Sequence, residues 1–299
     1  MDQALMFVNA YLIPGLVSGS IYALGAIGLT LLFGVLRFTH FAHGDVMTAG
    51  AYLALAGVGL FGLHPIMALP LAMAGTSLLC LGINHFFYAP LMKRPSLVLT
   101  ISSFGVALMI RAAIQLIYGV ESQYYVRGIQ KSREVFGTFR IVDRHIWIGC
   151  SAVALMLALH LLLTRTRLGK AMRAVSDSPD LARLTGISTT TVIRYTWVIG
   201  GSLAAVAGVF LGWDGYVHAN MGWDQLLPIS AAAILGGLGR PYGAMVGGLV
   251  IGMAEELSSY PWLGGDALLS PGYKTGVAFA IMVAMLIWRP NGLFGEKVR

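Results

Sequence analysis

The sequence predicts an all-α protein, a polytopic transmembrane helical bundle of eight or nine membrane segments, one of them short or re-entrant. Three observations carry this. Hydrophobic residues fill 57% of the 299 positions and charged residues only 11%, with a mean hydropathy of +0.75; that balance excludes an ordinary soluble domain. Nine apolar segments recur along the chain, most of them near the roughly 20 residues a helix needs to cross a bilayer core. No linker, low-complexity tract or soluble insertion separates them, so residues 1–299 read as a single transmembrane domain.

Taken in order, the N-terminal stretch lacks a positively charged leader region and runs into apolar sequence, so 6–36 is expected to be a retained first span. The other segments are 44–63, 64–91, 96–119, 145–164, 191–213, 225–239, 241–260 and 272–289. Segment 225–239 is the short one and ends in Gly236-Gly237-Leu238-Gly239. It reads as a crossing or as a re-entrant helix, which is tolerable only where protein or a cavity satisfies its backbone. Small residues four apart predict close helix packing in lipid: Gly15 and Gly19, Gly208 and Gly212, then Gly239, Gly243 and Gly247 beside Gly248 and Gly252. Trp197, Trp213, Trp223, Trp262 and Trp288 fall toward segment ends and are expected as interfacial anchors. The loop at about 120–145 carries alternating runs at 123–126 and 138–142, which predict a hairpin over the bundle. That loop reads either as a docking surface for an external partner or as a solvated connector.

The formal charge of +7, from 20 Lys+Arg against 13 Asp+Glu, is explained by membrane topology rather than nucleic-acid binding. Placing the polar island 165–194 in the cytoplasm puts Arg37, Lys93, Arg94, Arg240, Arg289, Lys297 and Arg299 on the same side if all nine segments cross. The N-terminus is then outside and the C-terminus inside. Arg127, Lys131, Arg133, Arg140 and Arg144 lie outside against the rule, offset by Glu121, Glu134 and Asp143. Cys80 and Cys150 sit in apolar runs and suggest neither a disulfide nor a metal site. Two turns echo each other, Gly34-Val35-Leu36-Arg37 and Gly237-Leu238-Gly239-Arg240, as duplicated halves of transporters do.

Polar residues within the apolar part are the candidates for a translocation path or gate. His40, His43 and Asp45 cluster in one turn. Metal ligation or acid–base work is one reading; a structural turn with a gating role, Asp45 complementing a helix N-terminus, is the favoured one. Arg111 lies well inside one span and Glu255 and Glu256 inside another. Counted from the cytoplasmic ends, Arg111 and Glu255 come to a similar depth, roughly 22 Å at 1.5 Å per residue. An unpaired charge there is costly, so an ion pair is expected, either lining the substrate path or holding the packing.

The island 165–194 contains a short helix built for exposure. Asp177 or Ser178 caps it, Pro179 starts it where a missing N–H costs nothing, Asp180 sits at the positive end of the dipole and Gly186 ends it. Leu181 and Leu184, with Ala182 and Gly186, form one small apolar face, too small to bury in a core of its own. No Walker A pattern, nucleophile elbow or zinc-protease signature occurs, so any ATP drive comes from another subunit.

Four stretches now carry a resemblance: Leu168–Val175 with Pro179–Ile187 and Ala204–Gly208; Thr39-His40-Phe41-Ala42-His43-Gly44; Ile234–Gly239 with Gly243–Gly248; and Arg289-Pro290-Asn291-Gly292-Leu293-Phe294-Gly295. In order and over nearly the whole chain, they are similar to the high-affinity branched-chain amino acid permeases of bacterial ABC importers. The family often has Asn where this chain has His40, and Glu where it has Asp45. The resemblance implies a multi-pass subunit of the bacterial inner membrane that is not itself an enzyme and needs no cofactor or metal. It implies three kinds of partner: a second homologous permease, two cytoplasmic ATP-binding subunits and a periplasmic substrate-binding protein. It implies that Asp177, Ser178, Pro179, Asp180, Ala182, Arg183 and Gly186 form the coupling helix that docks on the ATPase. The implied cargo is branched-chain or other hydrophobic amino acids, with urea, short amides or aromatic carboxylates as alternatives within the family. From another class, an ion-coupled secondary transporter would use Arg111, Glu255 and the short segment 225–239, and an intramembrane enzyme would use His43 and Asp45.

Overall fold

A computed structural model describes residues 3–126, 128, 132–135, 139–261 and 269–295. Trp262 and the basic residues Arg127, Lys131, Lys297 and Arg299 lie outside the described residues. The chain is helical nearly throughout. A short helix α1 (Gln3–Phe7) passes through a π turn (Val8–Leu12) into α2 (Ile13–Leu36). Next come α3 (His43–Phe61), α4 (Pro65–Ile83, prolonged by irregular turns to Leu91) and α5 (Ser96–Tyr118). A hairpin of β1 (Ser132–Val135) and β2 (Phe139–Val142) leads into α6 (Asp143–Arg165). Two polar helices, α7 (Arg167–Asp177) and α8 (Pro179–Leu184), precede α9 (Thr189–Asp214). The chain then forms α10 (Met221–Gly236), α11 (Pro241–Leu257) and α12 (Lys274–Trp288).

Length and hydropathy qualify six of the nine expected segments as membrane-crossing: Leu5–Leu36, His43–Phe61, Pro65–Leu91, Ser96–Tyr118, Asp143–Arg165 and Thr189–Asp214. Shortness was expected of 225–239 alone, yet α10, α11 and α12 have 16, 17 and 15 residues. At 1.5 Å per residue each is roughly 22–26 Å long.

The centre of the bundle is α2, packed most extensively on α11 and α9, with α3 and α4 against α9 and α10 against α11. The glycine ridges make these approaches. A methyl group on Gly252 would lie 2.2 Å from the Gly19 nitrogen, and one on Gly248 would lie 2.3 Å from the Ala23 backbone. Apolar side chains gain little by leaving lipid tails, so close backbone contact supplies the attraction instead. Outer helices α5, α6 and α12 expose Leu116, Leu157 and Ile287.

Helix α3 does not start where α2 ends. His43, its first residue, has Nε2 2.9 Å from the Gly25 carbonyl oxygen, and Gly25 lies eleven residues before the end of α2, roughly 16 Å back along its axis. The segment 37–42 therefore climbs into the bundle before α3 begins. Helix α10 begins at the same place: a methyl on Gly222 would lie 1.9 Å from the Gly44 carbonyl oxygen. Two helix N-termini thus meet in the interior, joined by the Gly222 N–H donating to Thr48 Oγ1 at 3.0 Å.

Two expectations need correction. The hairpin is real, but its first strand is 132–135, not 123–126. Gln123 instead exchanges two 2.8 Å backbone hydrogen bonds with Val217, and Tyr125 is buried, its hydroxyl donating to the Ala51 carbonyl at 2.7 Å. The alternation of 123–126 correctly turns Tyr125 in and Tyr124 out, but the strand partner comes from 94 residues away, beyond the reach of local pattern. Trp197 and Trp213 are buried rather than interfacial; Trp197 stacks on Tyr88 at 5.2 Å with an interplanar angle of 9°. Trp288, 80% exposed at the end of α12, fits the anchor role.

Candidate functional site

At the converging starts of α3 and α10 lies an ion pair. Arg111, reaching in from α5, donates from Nε to Asp45 Oδ1 at 2.9 Å and from Nη2 to Oδ2 at 3.1 Å. The Asp45 side chain is wholly buried, and that of Arg111 is 16% exposed. Bidentate pairing of this kind is geometrically specific as well as strong. Asp45 also sits in the first turn of α3, where its charge complements the helix dipole. The guanidinium carbon lies 4.8 Å from the centroid of the Trp223 ring, a cation–π distance, and Phe104 meets the same ring edge-on at 5.7 Å. Beside Trp223, Asp224 is 55% exposed and 3.3 Å from His218. The result is a charged and aromatic patch built by residues of α3, α5 and α10.

The expected Arg111–Glu255 pair does not form. Glu255 accepts a 2.7 Å hydrogen bond from the Tyr22 hydroxyl, and Glu256 pairs with Lys274 at 2.6 Å. Matched depth was not enough, because α5 packs on α3 while α11 packs on α2, α10 and α12. The two charges lie on different sides of the bundle.

His40 and His43 take separate partners. His40, in the turn rather than on α3, has Nε2 3.0 Å from the Tyr88 hydroxyl and packs edge-on against Trp197 at 5.0 Å; His43 reaches Gly25. Both are buried. The Phe41 N–H donates to Ser103 Oγ at 3.1 Å, tying the turn to α5. Among the described residues, no three His, Cys, Asp or Glu side chains gather as a metal-ligand set. His40, His43 and the Phe41 amide thus hold the turn that leads to Asp45 at the start of α3.

In the polar segment, Ser178 is the cap of α8, its Oγ accepting from the Leu181 N–H at 3.4 Å, while Asp177 closes α7. Pro179 is the first helical residue and Gly186 ends the turn at φ +83°, a conformation that favours glycine. Asp180 and Arg183 form an exposed pair at 3.7 Å, and Arg183 Nε donates to Thr189 Oγ1 at 3.2 Å. The expected single apolar face splits in two. Leu181 and Leu184 point outward, 64% and 84% exposed, whereas Ala182 is buried against its own bundle at 3%. A six-residue helix turns its third and sixth residues far enough from its fourth that both faces are used.

The sequence profile of a family described as the branched-chain amino acid transport system permease component matches residues 11–286. The chain belongs to that family. It is 33% identical to the high-affinity branched-chain amino acid transport system permease protein BraD of Pseudomonas aeruginosa, covering 95% of each chain. It is also 33% identical to the permease protein LivH of Salmonella typhimurium over 99% of this chain and 98% of that one. Among solved structures, a metal-chelate type ABC transporter in an inward-facing conformation is similar in fold, with a TM-score of 0.54 at 15% identity over 96% of this chain and 90% of that one.

As a member of the permease family, the chain gives structural reasons for its motifs. The C-terminal run Arg289–Gly295 folds back onto the α10–α11 turn: Leu293 N–H donates to Leu235 O at 2.8 Å, and a methyl on Gly292 would lie 2.5 Å from Gly237. Sequence reading expected Trp223 as an interfacial anchor and missed its contact with Arg111, together with Thr48 and the Gly44–Gly222 contact. The available signal was Asp45 itself, a carboxylate in an apolar run that requires a cation from some other helix.

Proposed function

We propose that this chain is the transmembrane permease subunit of an ATP-driven importer that carries branched-chain or other hydrophobic amino acids across the bacterial inner membrane. In this reading all nine segments contribute crossings, α10 to α12 by local fit, with the α7–α8 end in the cytoplasm and the N-terminus outside. Two ATP-binding subunits dock on α8, a second homologous permease completes the pathway, and a periplasmic binding protein delivers cargo. ATP hydrolysis belongs to the partners. The Asp45–Arg111–Trp223 patch lies on the translocation path, the 37–43 turn sets its position, and Glu255 serves as an interhelical lock away from it.

One observation carries the coupling reading: α8 is capped at both ends and held by buried Ala182, yet shows Leu181 and Leu184 to the outside. A helix this short has no reason to expose two leucines unless another surface covers them. The test is reconstitution of the complete transporter in proteoliposomes with labelled leucine, isoleucine and valine, urea, acetamide and benzoate. ATP-dependent uptake of the branched-chain amino acids is the expected result. Uptake of urea, amide or benzoate instead reassigns the cargo, and uptake that survives ATP depletion but collapses with an ionophore overturns the importer reading. Leu184→Asp is expected to abolish association with the ATP-binding subunits while leaving membrane insertion intact.

A further inference from the structure

Arg37 ends α2 in the left-handed region, at φ 58° and ψ 30°, and among the described residues no other non-glycine residue has a positive φ. Glycine is the ordinary residue at such a helix end, since any Cβ there is disfavoured. The arginine side chain spans to the polar segment. Its Nη2 donates to the Ser176 carbonyl and lies 3.5 Å from the Asp177 carbonyl. Those are the last two residues of α7, where carbonyls lack helical partners and the dipole favours a cation. One residue further, Ser178 caps α8.

On its other side Arg37 opens the segment that climbs to the ion pair, and this segment has no slack. Phe38 packs against Tyr88 at 5.4 Å, His40 bonds Tyr88, the Phe41 amide bonds Ser103, and His43 bonds Gly25. Two residues on is Asp45. Exposed α8 and buried Asp45 are thus connected through one guanidinium and eight residues of packed chain. A second connection runs from α8 through Arg183 and Thr189 into α9, beside the direct packing of α7 on α2, α6 and α9.

We propose that Arg37 is the positioning residue that transmits movement of α8 to the Asp45–Arg111 site, an inference that rests on α8 being the coupling helix. A rigid turn fixed at both ends moves as a unit, so displacing the α7–α8 junction displaces Asp45 relative to Arg111. The left-handed backbone is retained at arginine because the guanidinium is needed there.

Arg37→Gly tests this, because glycine keeps the backbone conformation while removing the link. In the complete transporter in proteoliposomes, Arg37→Gly is expected to assemble and to melt within a few degrees of wild type. Its uptake per ATP hydrolysed should fall about tenfold, in the range of typical coupling energies, with Arg37→Lys between the two. A purely structural role predicts that assembly, hydrolysis and uptake fall together. Loss of assembly in Arg37→Gly, or an unchanged ratio of uptake to hydrolysis, overturns the proposal. The Leu184→Asp variant is run alongside: if it still binds the ATP-binding subunits, the coupling reading itself fails, whereas its failure to bind with an unchanged Arg37→Gly ratio rejects Arg37 alone and points to the α9 route.

Discussion

At the α7–α8 end the α10–α11 turn is packed backbone to backbone, whereas at the hairpin end the corresponding helix ends meet largely through charged side chains. Gly236 on α10 and Gly243 on α11 are so close that a methyl on either would come within 2.1 Å of the other's backbone, and the turn at Gly237 is covered by Gly292. At the hairpin end, Asp214 meets His145 at 3.0 Å and Arg144 at 3.3 Å, and Lys274 meets Glu256. Backbone contacts cannot lengthen without losing their fit, while partly exposed ion pairs can exchange with water. The contrast suits a transporter in which one end moves as a block while the other opens and closes.

The sharpest way to break that contrast is Gly236→Val. Its Cβ would overlap backbone rather than a movable side chain, so relaxation is blocked and a cost above about 3 kcal/mol is expected. The checkable outcome is loss of monodisperse protein in detergent; a well-folded Gly236→Val protein would show that the α10–α11 contact can open to admit a side chain.

Next in size is the ion pair that lies between the two ends. Asp45→Asn or Arg111→Gln alone leaves one buried charge without its partner, at an expected cost of about 3–5 kcal/mol, while the double neutral variant should recover most of the stability. Thermal melting of the two single variants and the double variant measures this. Uptake by the double variant separates the roles: a stable but transport-deficient protein places the pair on the path, and wild-type uptake makes it packing alone.

Much of this was legible in the sequence, for reasons that are physical. The helical bundle followed from composition, the glycine ridges from four-residue spacing, and the cap, first-turn proline and terminal glycine of α8 from local backbone chemistry. Those features depend on residues close in the chain. What was not legible depends on azimuth and on distant contacts. Arg111 and Glu255 agreed in depth, but depth says nothing about which side of a bundle a charge faces. Trp197 was placed at an interface by its nearness to a helix end, whereas the chain wraps Tyr88 over it. Gly44 and Gly222 carry no spacing signature, since they belong to different helices that meet only at their first turns.

A smaller effect is expected at Ala182. Replacing it by leucine adds volume at a buried position, so about 1–3 kcal/mol of local destabilisation should loosen α8 from the bundle. The same substitution at an outward-facing position would instead disturb only docking. Proteolysis of the 178–187 segment distinguishes them: faster cleavage is expected for Ala182→Leu and wild-type cleavage for Leu184→Asp. Equal cleavage would mean that the two faces of α8 are not distinct.

The smallest effect belongs to the hairpin end. The Asp214 side chain is 31% exposed, so its pairs with Arg144 and His145 stand in a medium that screens them, and Asp214→Asn is expected to cost less than about 1 kcal/mol. Asparagine keeps the shape and one acceptor oxygen, which isolates the charge. Raising ionic strength should shrink the difference from wild type further, because the Debye length contracts from about 10 Å at 0.1 M salt to about 3 Å at 1 M. Melting curves of both proteins at the two salt concentrations measure it. A large, salt-independent loss would mean that this end, like the other, is held by fixed contacts, and the division of the bundle into a rigid and a yielding end would no longer stand.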